Sequence, residues 1–309
     1  MSSKKIYRVA TRPSLLATTQ TRQTVALLQE KNPDVLFEII TFSTHGDLVV
    51  DKPLVAFGGT GLFVKELEQA ILDGKADFAI HSLKDMPGIQ SKEFTIASFA
   101  KRENPTDVLL TRNGKGINDL KAGMVVGTGS PRRQLQLQNL CPGIVFKDLR
   151  GNIDTRLKKL DTGEYDAIML ASAGLLRLGK TISKSAILST NECIPAVGQG
   201  AIALECLAND DETIALLKTI NDTETEIAVT AERSFMRTIG GGCKFPLAAH
   251  AVVEGETVCL NTIIGTVETG NFVTIKESAS ITNAEILGIQ VAEKMQKACK
   301  EKGIKLVMC

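Results

Sequence analysis

Through its first two thirds the chain alternates short apolar runs with longer stretches of helical spacing. Ile6 to Ala10 reads as a strand. Ser14 can cap the following helix, which runs to about Lys31 and stops before Asn32-Pro33. Val35 to Phe42 reads as a second strand. Leu62 to Leu72 is a helix with Phe63, Leu67, Ala70 and Ile71 on one face, ended by Gly74. Phe78 to His81 is a short apolar strand. The rhythm restarts after Asn104-Pro105, with strands at Met124 to Val126, Ile144 to Leu149 and Ala167 to Leu170. Helices at Arg132 to Leu140 and Thr155 to Leu160 lie between them. Such alternation is that of βαβ units and a parallel sheet.

Further along, Pro195 to Glu205 holds a glycine turn and another strand, and Ala228 to Thr238 looks helical. Val252 to Ile275 is rich in Val, Thr and Ile and alternates, which predicts antiparallel sheet. Ala284 to Lys300 is a final helix. The expected fold class is α/β, with two parallel-sheet lobes and a smaller α+β C-terminal domain. The expected domains are a discontinuous first lobe at 1–103 and 196–220, a second lobe at 104–195, and a third domain at 221–309.

Composition narrows the function. The chain of 309 residues has a formal net charge of +1, which counts against nucleic acid as the main partner. Seven cysteines are scattered with no C-x-x-C, so neither a disulfide framework nor a zinc site is expected. No metal is expected. No run is long enough to span a bilayer, and the start lacks an apolar signal core, so a cytoplasmic protein without membrane contact is expected.

The strongest chemical signal is Gly127-Thr128-Gly129-Ser130-Pro131-Arg132-Arg133. A strand ends, glycines turn the chain, and Ser130-Pro131 starts a helix. Two arginines in its first turn oppose the helix dipole by roughly 0.3–1 kcal/mol each. An anion there would remove the penalty. Arg12, Arg150, Arg156 and Arg177 recur in similar places, after strands or in the helices that follow. Ligands of parallel α/β sheets bind at the carboxyl ends of the strands, so several arginines there imply a ligand with many carboxylates or phosphates.

His81-Ser82-Leu83-Lys84-Asp85-Met86-Pro87 also follows a strand. It offers Asp85 as an acid/base or charge-stabilising carboxylate and Lys84 as an anion ligand, although Asp before Pro-Gly is common in plain turns. Gly240 to Cys243 sets a thiol beside a glycine tract, which suits a thiolate nucleophile or covalent anchor. Gly174 to Thr181 fits the phosphate-loop pattern, but its Leu-Leu-Arg-Leu interior reads as an apolar helical turn.

Taken together, several segments resemble the hydroxymethylbilane synthase (porphobilinogen deaminase) family. They are A-T-R-P-S (10–14), G-L-F-V-K-E-L-E (61–68), H-S-L-K-D-M-P (81–87), V-G-T-G-S-P-R-R-Q (126–134), R-G-N-I-D-T-R-L-K-K-L-D (150–161), A-S-A-G-L-L-R-L-G (171–179), A-V-G-Q-G-A (196–201) and G-G-C (241–243). The resemblance implies two lobes like those of periplasmic binding proteins. It implies one dipyrromethane cofactor per chain, held by Cys243 through a thioether, with Asp85 at the reacting pyrroles. It assigns Ser14, Lys84, Thr128, Ser130, Arg132, Arg133 and Arg156 to the cofactor, and Arg12, Arg150 and Arg177 to the substrate, porphobilinogen. Loss of ammonia would give a positively charged azafulvene that a fixed carboxylate can stabilise, and the coupling repeats four times before water releases the linear tetrapyrrole. A monomer with hinging domains and a mobile loop near Ala56 to Thr60 is expected.

This chain departs from the family at Ala56 and Thr60, where lysines are common. Gly129 replaces a serine, Gly240 a frequent glutamate, and Lys244-Phe245 smaller residues. Two other readings stay open at this stage. One is a non-enzymatic anion or amino-acid receptor, which would have no use for a thiol adduct. The other is a nucleotide-dependent enzyme using Gly174 to Thr181.

Overall fold

A computed structural model describes residues 5–44, 64–240 and 246–306. These fall into two compact units. The first contains the described residues up to 103 together with 201–226; the second contains 104–200 and 227 onward.

The first unit is an α/β lobe. Strands β1 (Ile6–Thr11), β2 (Leu36–Thr41), β3 (Phe78–Ser82), β4 (Phe94–Ala100) and β10 (Ile202–Leu207) form one sheet in the order β2-β1-β3-β10-β4. β1 is parallel to β2 and β3, whereas β10 runs antiparallel to both its neighbours. Successive residues of a strand face opposite sides, and both sides here are covered. Val9, Phe78, Ile80 and Leu204 pack with Leu28, Leu216 and Leu217 from helices α1 (Leu15–Lys31) and α6 (Asp211–Lys218). Ala10 and Ala79 pack on the other side with Leu67, Ala70 and Ile71 of α2 (Lys65–Leu72).

Helix α1 has the limits its caps predict. Ser14 Oγ accepts from Ala17 N at 3.3 Å, and Asn32 closes the other end by donating from Nδ2 to Leu28 O at 2.9 Å. The expected helix start at Leu62 and the residue Phe63 lie outside the described residues.

The second unit contains a second α/β lobe. Its strands are β5 (Asp107–Thr111), β6 (Val125–Gly127), β7 (Val145–Lys147), β8 (Ala167–Ala171) and β9 (Ile187–Leu188), in the order β7-β6-β8-β5-β9. The pattern repeats that of the first sheet: three parallel strands, one reversed strand, then an outer one. The parallel rhythm read from the sequence therefore describes three strands of each sheet. The reversed strands, β10 and β5, are the ones reached by passing between units, so no local βαβ repeat announces their direction. Helices α3 (Pro131–Leu140), α4 (Ile153–Asp161) and the short α5 (Ser172–Arg177) cover this sheet through Leu137, Leu160 and Leu175.

The same unit holds a three-stranded antiparallel sheet, β11 (Leu247–Glu254), β12 (Thr257–Gly265) and β13 (Phe272–Ser280). Helices α7 (Thr223–Ile239) and α8 (Ala284–Glu301) bury its apolar side through Phe235, Leu287, Val291 and Met295. Its other side meets the second lobe, where Ala248 and Ile263 pack on Leu135 and Ile194. The molecule is thus mixed α/β, with two lobes and a small C-terminal sheet-and-helix domain.

Candidate functional site

In the first lobe, chemistry collects where β1 and β3 end. Arg12 and Ser14 follow β1. A single 3-10 turn, Leu83–Asp85, follows β3. That turn is pinned twice: Leu83 N donates to Ala201 O at 3.0 Å, and Met86 N donates to Leu83 O at 3.1 Å. Leu83 and Met86 are buried on either side of half-exposed Lys84 and Asp85. Burial of the flanking side chains fixes the direction of the turn and leaves the polar pair toward solvent. A cleft there is lined by Arg12, Ser14, Gln20, His81, Ser82 and Asp85.

The cleft has apolar walls from Leu16, Val64 and Ile80, and its polar side chains are tied into hydrogen bonds beneath it. Ser82 Oγ donates to Gln20 Oε1 at 3.0 Å, and the buried Thr21 hydroxyl donates to Thr11 at 2.7 Å. His81 Nε2 lies 2.9 Å from Glu205 Oε2, with side chains only 4% and 0% exposed. Gln90 Nε2 donates to the other Glu205 oxygen at 3.0 Å. Burial pushes the nearby Glu68 carboxyl above its ordinary range, and the Glu205 charge adds to this. Glu205 escaped the sequence reading, although a carboxylate inside the apolar run Ala201 to Leu207 signals a buried charge with a built partner.

In the second lobe the parallel strands end at Thr128 and Ser130 (after β6), Arg150 (after β7) and Arg177 (after β8). Ser130 caps α3 as expected, accepting from Arg133 N at 3.5 Å, and buried Thr128 accepts from Ser130 N at 3.2 Å. Arg177 Nη2 donates to Gly200 O at 2.7 Å, and Arg156 Nε donates to Gly151 O at 2.7 Å. Arg150 Nε sits 3.3 Å from Asp148 Oδ2.

Arg132 and Arg133 differ from the other arginines. Both are buried, and both pair with Asp107, the first residue of β5. Arg132 Nη1 lies 2.6 Å from Oδ2, while Arg133 reaches Oδ1 through Nε at 3.0 Å and Nη2 at 2.7 Å. Arg132 Nη1 also donates to Ile194 O at 2.8 Å and to Cys193 Sγ at 3.6 Å, and Arg133 Nη1 to Met169 O at 3.1 Å. Gln199 Nε2 donates to Asp107 at 3.1 Å. An anion at this helix start is therefore supplied from inside the protein. Burial by itself would raise the Asp107 carboxyl, but the two guanidinium groups overcome it and hold it well below the usual carboxylate range. Burial also pushes the neighbouring Cys193 thiol up to about 12, which disfavours the thiolate. Asp107 was missed because it stands about 25 residues before its partners.

The phosphate-loop match resolves as helix. Gly174 to Arg177 lie within α5, and Lys180 Nζ pairs with Asp154 at 3.1 Å instead of crowning a glycine cradle. Gly240 has a structural reason to be glycine, because it ends α7 with φ of 71° in the left-handed region. Cys243, Lys244, Phe245, Ala56 and Thr60 lie outside the described residues.

Fold and side chains together describe an α/β protein with arginines, hydroxyls and a half-exposed carboxylate just beyond the carboxyl ends of its parallel strands. Comparison with known families makes this specific. Residues 7–215 match the model for the porphobilinogen deaminase dipyrromethane cofactor binding domain, and residues 226–297 match the model for the C-terminal domain of the same enzyme. The chain belongs to the porphobilinogen deaminase family. It is a transferase of tetrapyrrole biosynthesis, a hydroxymethylbilane synthase that uses a dipyrromethane cofactor.

Solved structures similar to the chain include the periplasmic VFT2 domain of Bordetella pertussis BvgS (16% identity, 71% of this chain and 88% of that one, TM-score 0.40). The methionine binding protein MetQ matches at 11% identity over 70% and 88% of the two chains (TM-score 0.45). A YaeC-family lipoprotein from Enterococcus faecalis matches at 14% over 74% and 97% (TM-score 0.43). At these identities and TM-scores the likeness carries no function. Among the described residues no helix is long and apolar enough to cross a membrane.

Proposed function

We propose that Asp85 is the carboxylate at which porphobilinogen is deaminated and coupled. The observation that carries this reading is its position: Asp85 stands in one cleft with Arg12 and Ser14, at the carboxyl ends of β1 and β3. The donor set fits a pyrrole bearing acetate and propionate arms. Guanidinium and hydroxyl groups take the arms, and a single carboxylate faces the ring nitrogen.

As ammonia leaves the substrate, positive charge develops on the pyrrole. The Asp85 carboxylate stabilises it and can hold the proton released at that nitrogen. Arg12 orients the substrate through a bidentate fork, which suits a carboxylate better than an ammonium would. His81 and Glu205 keep β3 and β10 in register beneath the turn. Within the second lobe, Arg150, Arg156 and Arg177, with Thr128 and Ser130, are the groups suited to carboxylate arms, and within the first lobe Lys84 is. Arg132 and Arg133, tied to Asp107, act mainly by the field they leave at the edge of that lobe. The dipyrromethane, when bound, supplies the α-carbon to which the first substrate unit is joined.

In this reading Cys243 is the covalent anchor, and the chain works as a cytoplasmic monomer of three domains, 1–103 with 196–220, 104–195, and 221–309. Separate apolar cores for the two α/β sheets and for the C-terminal sheet support the division.

Intact mass tests the anchor. The active protein is expected to exceed its sequence mass by two linked pyrrole units, and Cys243→Ala to show the bare chain. A full adduct retained by Cys243→Ala would overturn the assignment.

A further inference from the structure

We propose that Asp148 is a built-in competitor for the substrate's carboxylates at Arg150, and that Gly129 is glycine to make room for it. The proposal rests on the reading of Arg150 as a substrate-binding residue.

Gly129 has no conformational need to be glycine, since its φ is not positive. Space is the reason. A Cβ built at Gly129 would run into Asp148 Oδ1. The same carboxylate has its other oxygen 3.3 Å from Arg150 Nε. One side chain therefore links the T-G-S turn after β6 to the first arginine after β7. Its backbone is fixed from below, because Tyr165 Oη donates to Asp148 O at 2.6 Å and Thr128 N donates to Lys147 O at 3.0 Å. The other charged side chains near this ridge are engaged elsewhere. Lys147 Nζ lies over the Tyr165 ring at 5.1 Å, Arg156 Nε bonds Gly151 O, and Asp154 pairs with Lys180.

The contrast with Asp107 shows what Asp148 can do. Asp107 is fully enclosed and its arginines cannot leave it. The Asp148 side chain is 48% exposed and that of Arg150 is 23% exposed, so solvent reaches the pair. An exposed ion pair is weak and exchangeable. An incoming acetate or propionate arm can displace Asp148 from Arg150, but it does so against a competitor fixed at high local concentration. A side chain at 129 would require the Asp148 carboxylate to shift from this position, which weakens its competition for Arg150.

The test compares Asp148→Ala, Gly129→Ala, the double variant and Arg150→Leu. Asp148→Ala is expected to lower KM for porphobilinogen about two- to five-fold, which is ~0.4–1 kcal/mol at 1.4 kcal/mol per tenfold. Gly129→Ala should shift KM in the same direction by forcing the carboxylate from its seat, and should add nothing in the Asp148→Ala background. A readout without turnover is the citrate concentration at half-maximal thermal stabilisation, which should fall by a similar factor in Asp148→Ala. An unchanged or raised KM in Asp148→Ala, while Arg150→Leu raises it strongly, would overturn the competitor and leave the substrate role of Arg150 standing. If Arg150→Leu changes neither KM nor the citrate midpoint, the role of Arg150 itself falls, and the competitor with it.

Discussion

The two α/β lobes share a strand order and a reversed fourth strand, yet they differ in how Asp85 and Asp107 stand to the arginines near them. The first lobe leaves a half-exposed carboxylate, Asp85, in a cleft with Arg12 and Ser14. The second lobe buries its carboxylate, Asp107, and spends it on two arginines. Topology alone thus does not decide where charge is available. In the first lobe a 3-10 turn pinned by buried Leu83 and Met86 holds the acid outward. In the second, the reversed strand begins with the acid, and the next helix brings Arg132 and Arg133 onto it. The same architecture leaves one carboxylate, Asp85, half-exposed in a cleft with Arg12 and encloses another, Asp107, between two arginines.

Replacing each acid should separate these roles. Asp85→Asn keeps the shape and removes the charge. We expect turnover to fall by about 10²–10⁴-fold, the usual worth of a positioned acid or base, with an unchanged unfolding curve. Turnover within a few-fold of the parent would end the catalytic role. Asp107→Ala should do the reverse. It leaves two buried guanidinium groups without a counter-ion, which costs ~3–5 kcal/mol. The midpoint of urea unfolding should drop accordingly, whereas Asp148→Ala, at an exposed pair, should stay within about 0.5 kcal/mol. A loss below about 1 kcal/mol for Asp107→Ala would mean that the arginines find other partners and that the lobes differ less than their geometry indicates.

How far the sequence revealed this difference depends on range. Local signals were legible. Ser14 and Asn32-Pro33 bracketed α1, and Ser130-Pro131 marked the start of α3. Arginines after strand ends could be read because each sits within a few residues of a glycine turn or a cap. The direction of β10 could not, because its reversal depends on partners far away in sequence, and β5 (Asp107–Thr111) was not read as a strand at all. Strand β4, a core element through Phe94 and Ala97, was missed although the Pro87-Gly88 turn stands before it. The fate of Arg132 and Arg133 was half legible. Their crowding called for an anion, but only the pairing of β5 with β8 shows that Asp107 reaches them. The glycine at 129 looked like a lost hydroxyl, and its cause became visible only with the position of Asp148.

The smallest effects would sharpen the comparison most, because Ser14 and Ser130 have two candidate duties each. Both cap the helix that follows a parallel strand, and both are candidate hydroxyls for carboxylate arms. Alanine removes cap and hydroxyl together and is expected to cost ~0.5–2 kcal/mol of stability. Glycine is tolerated at an N-cap and costs only a few tenths of a kcal/mol, yet it also lacks the hydroxyl. Ser14→Gly and Ser130→Gly therefore isolate the second duty. If the hydroxyls hold the ligand, each glycine variant should unfold close to the parent while its KM for porphobilinogen rises several-fold. If KM stays fixed while the alanine variants lose stability, the serines are caps and nothing more, and anion binding in both lobes rests on the guanidinium groups alone. The cap bond at Ser130 is the longer of the two, 3.5 Å against 3.3 Å, so its alanine variant should lose less stability than that of Ser14. The reverse order would place more of the stability of α3 on its first-turn contacts with Asp107 than on its cap.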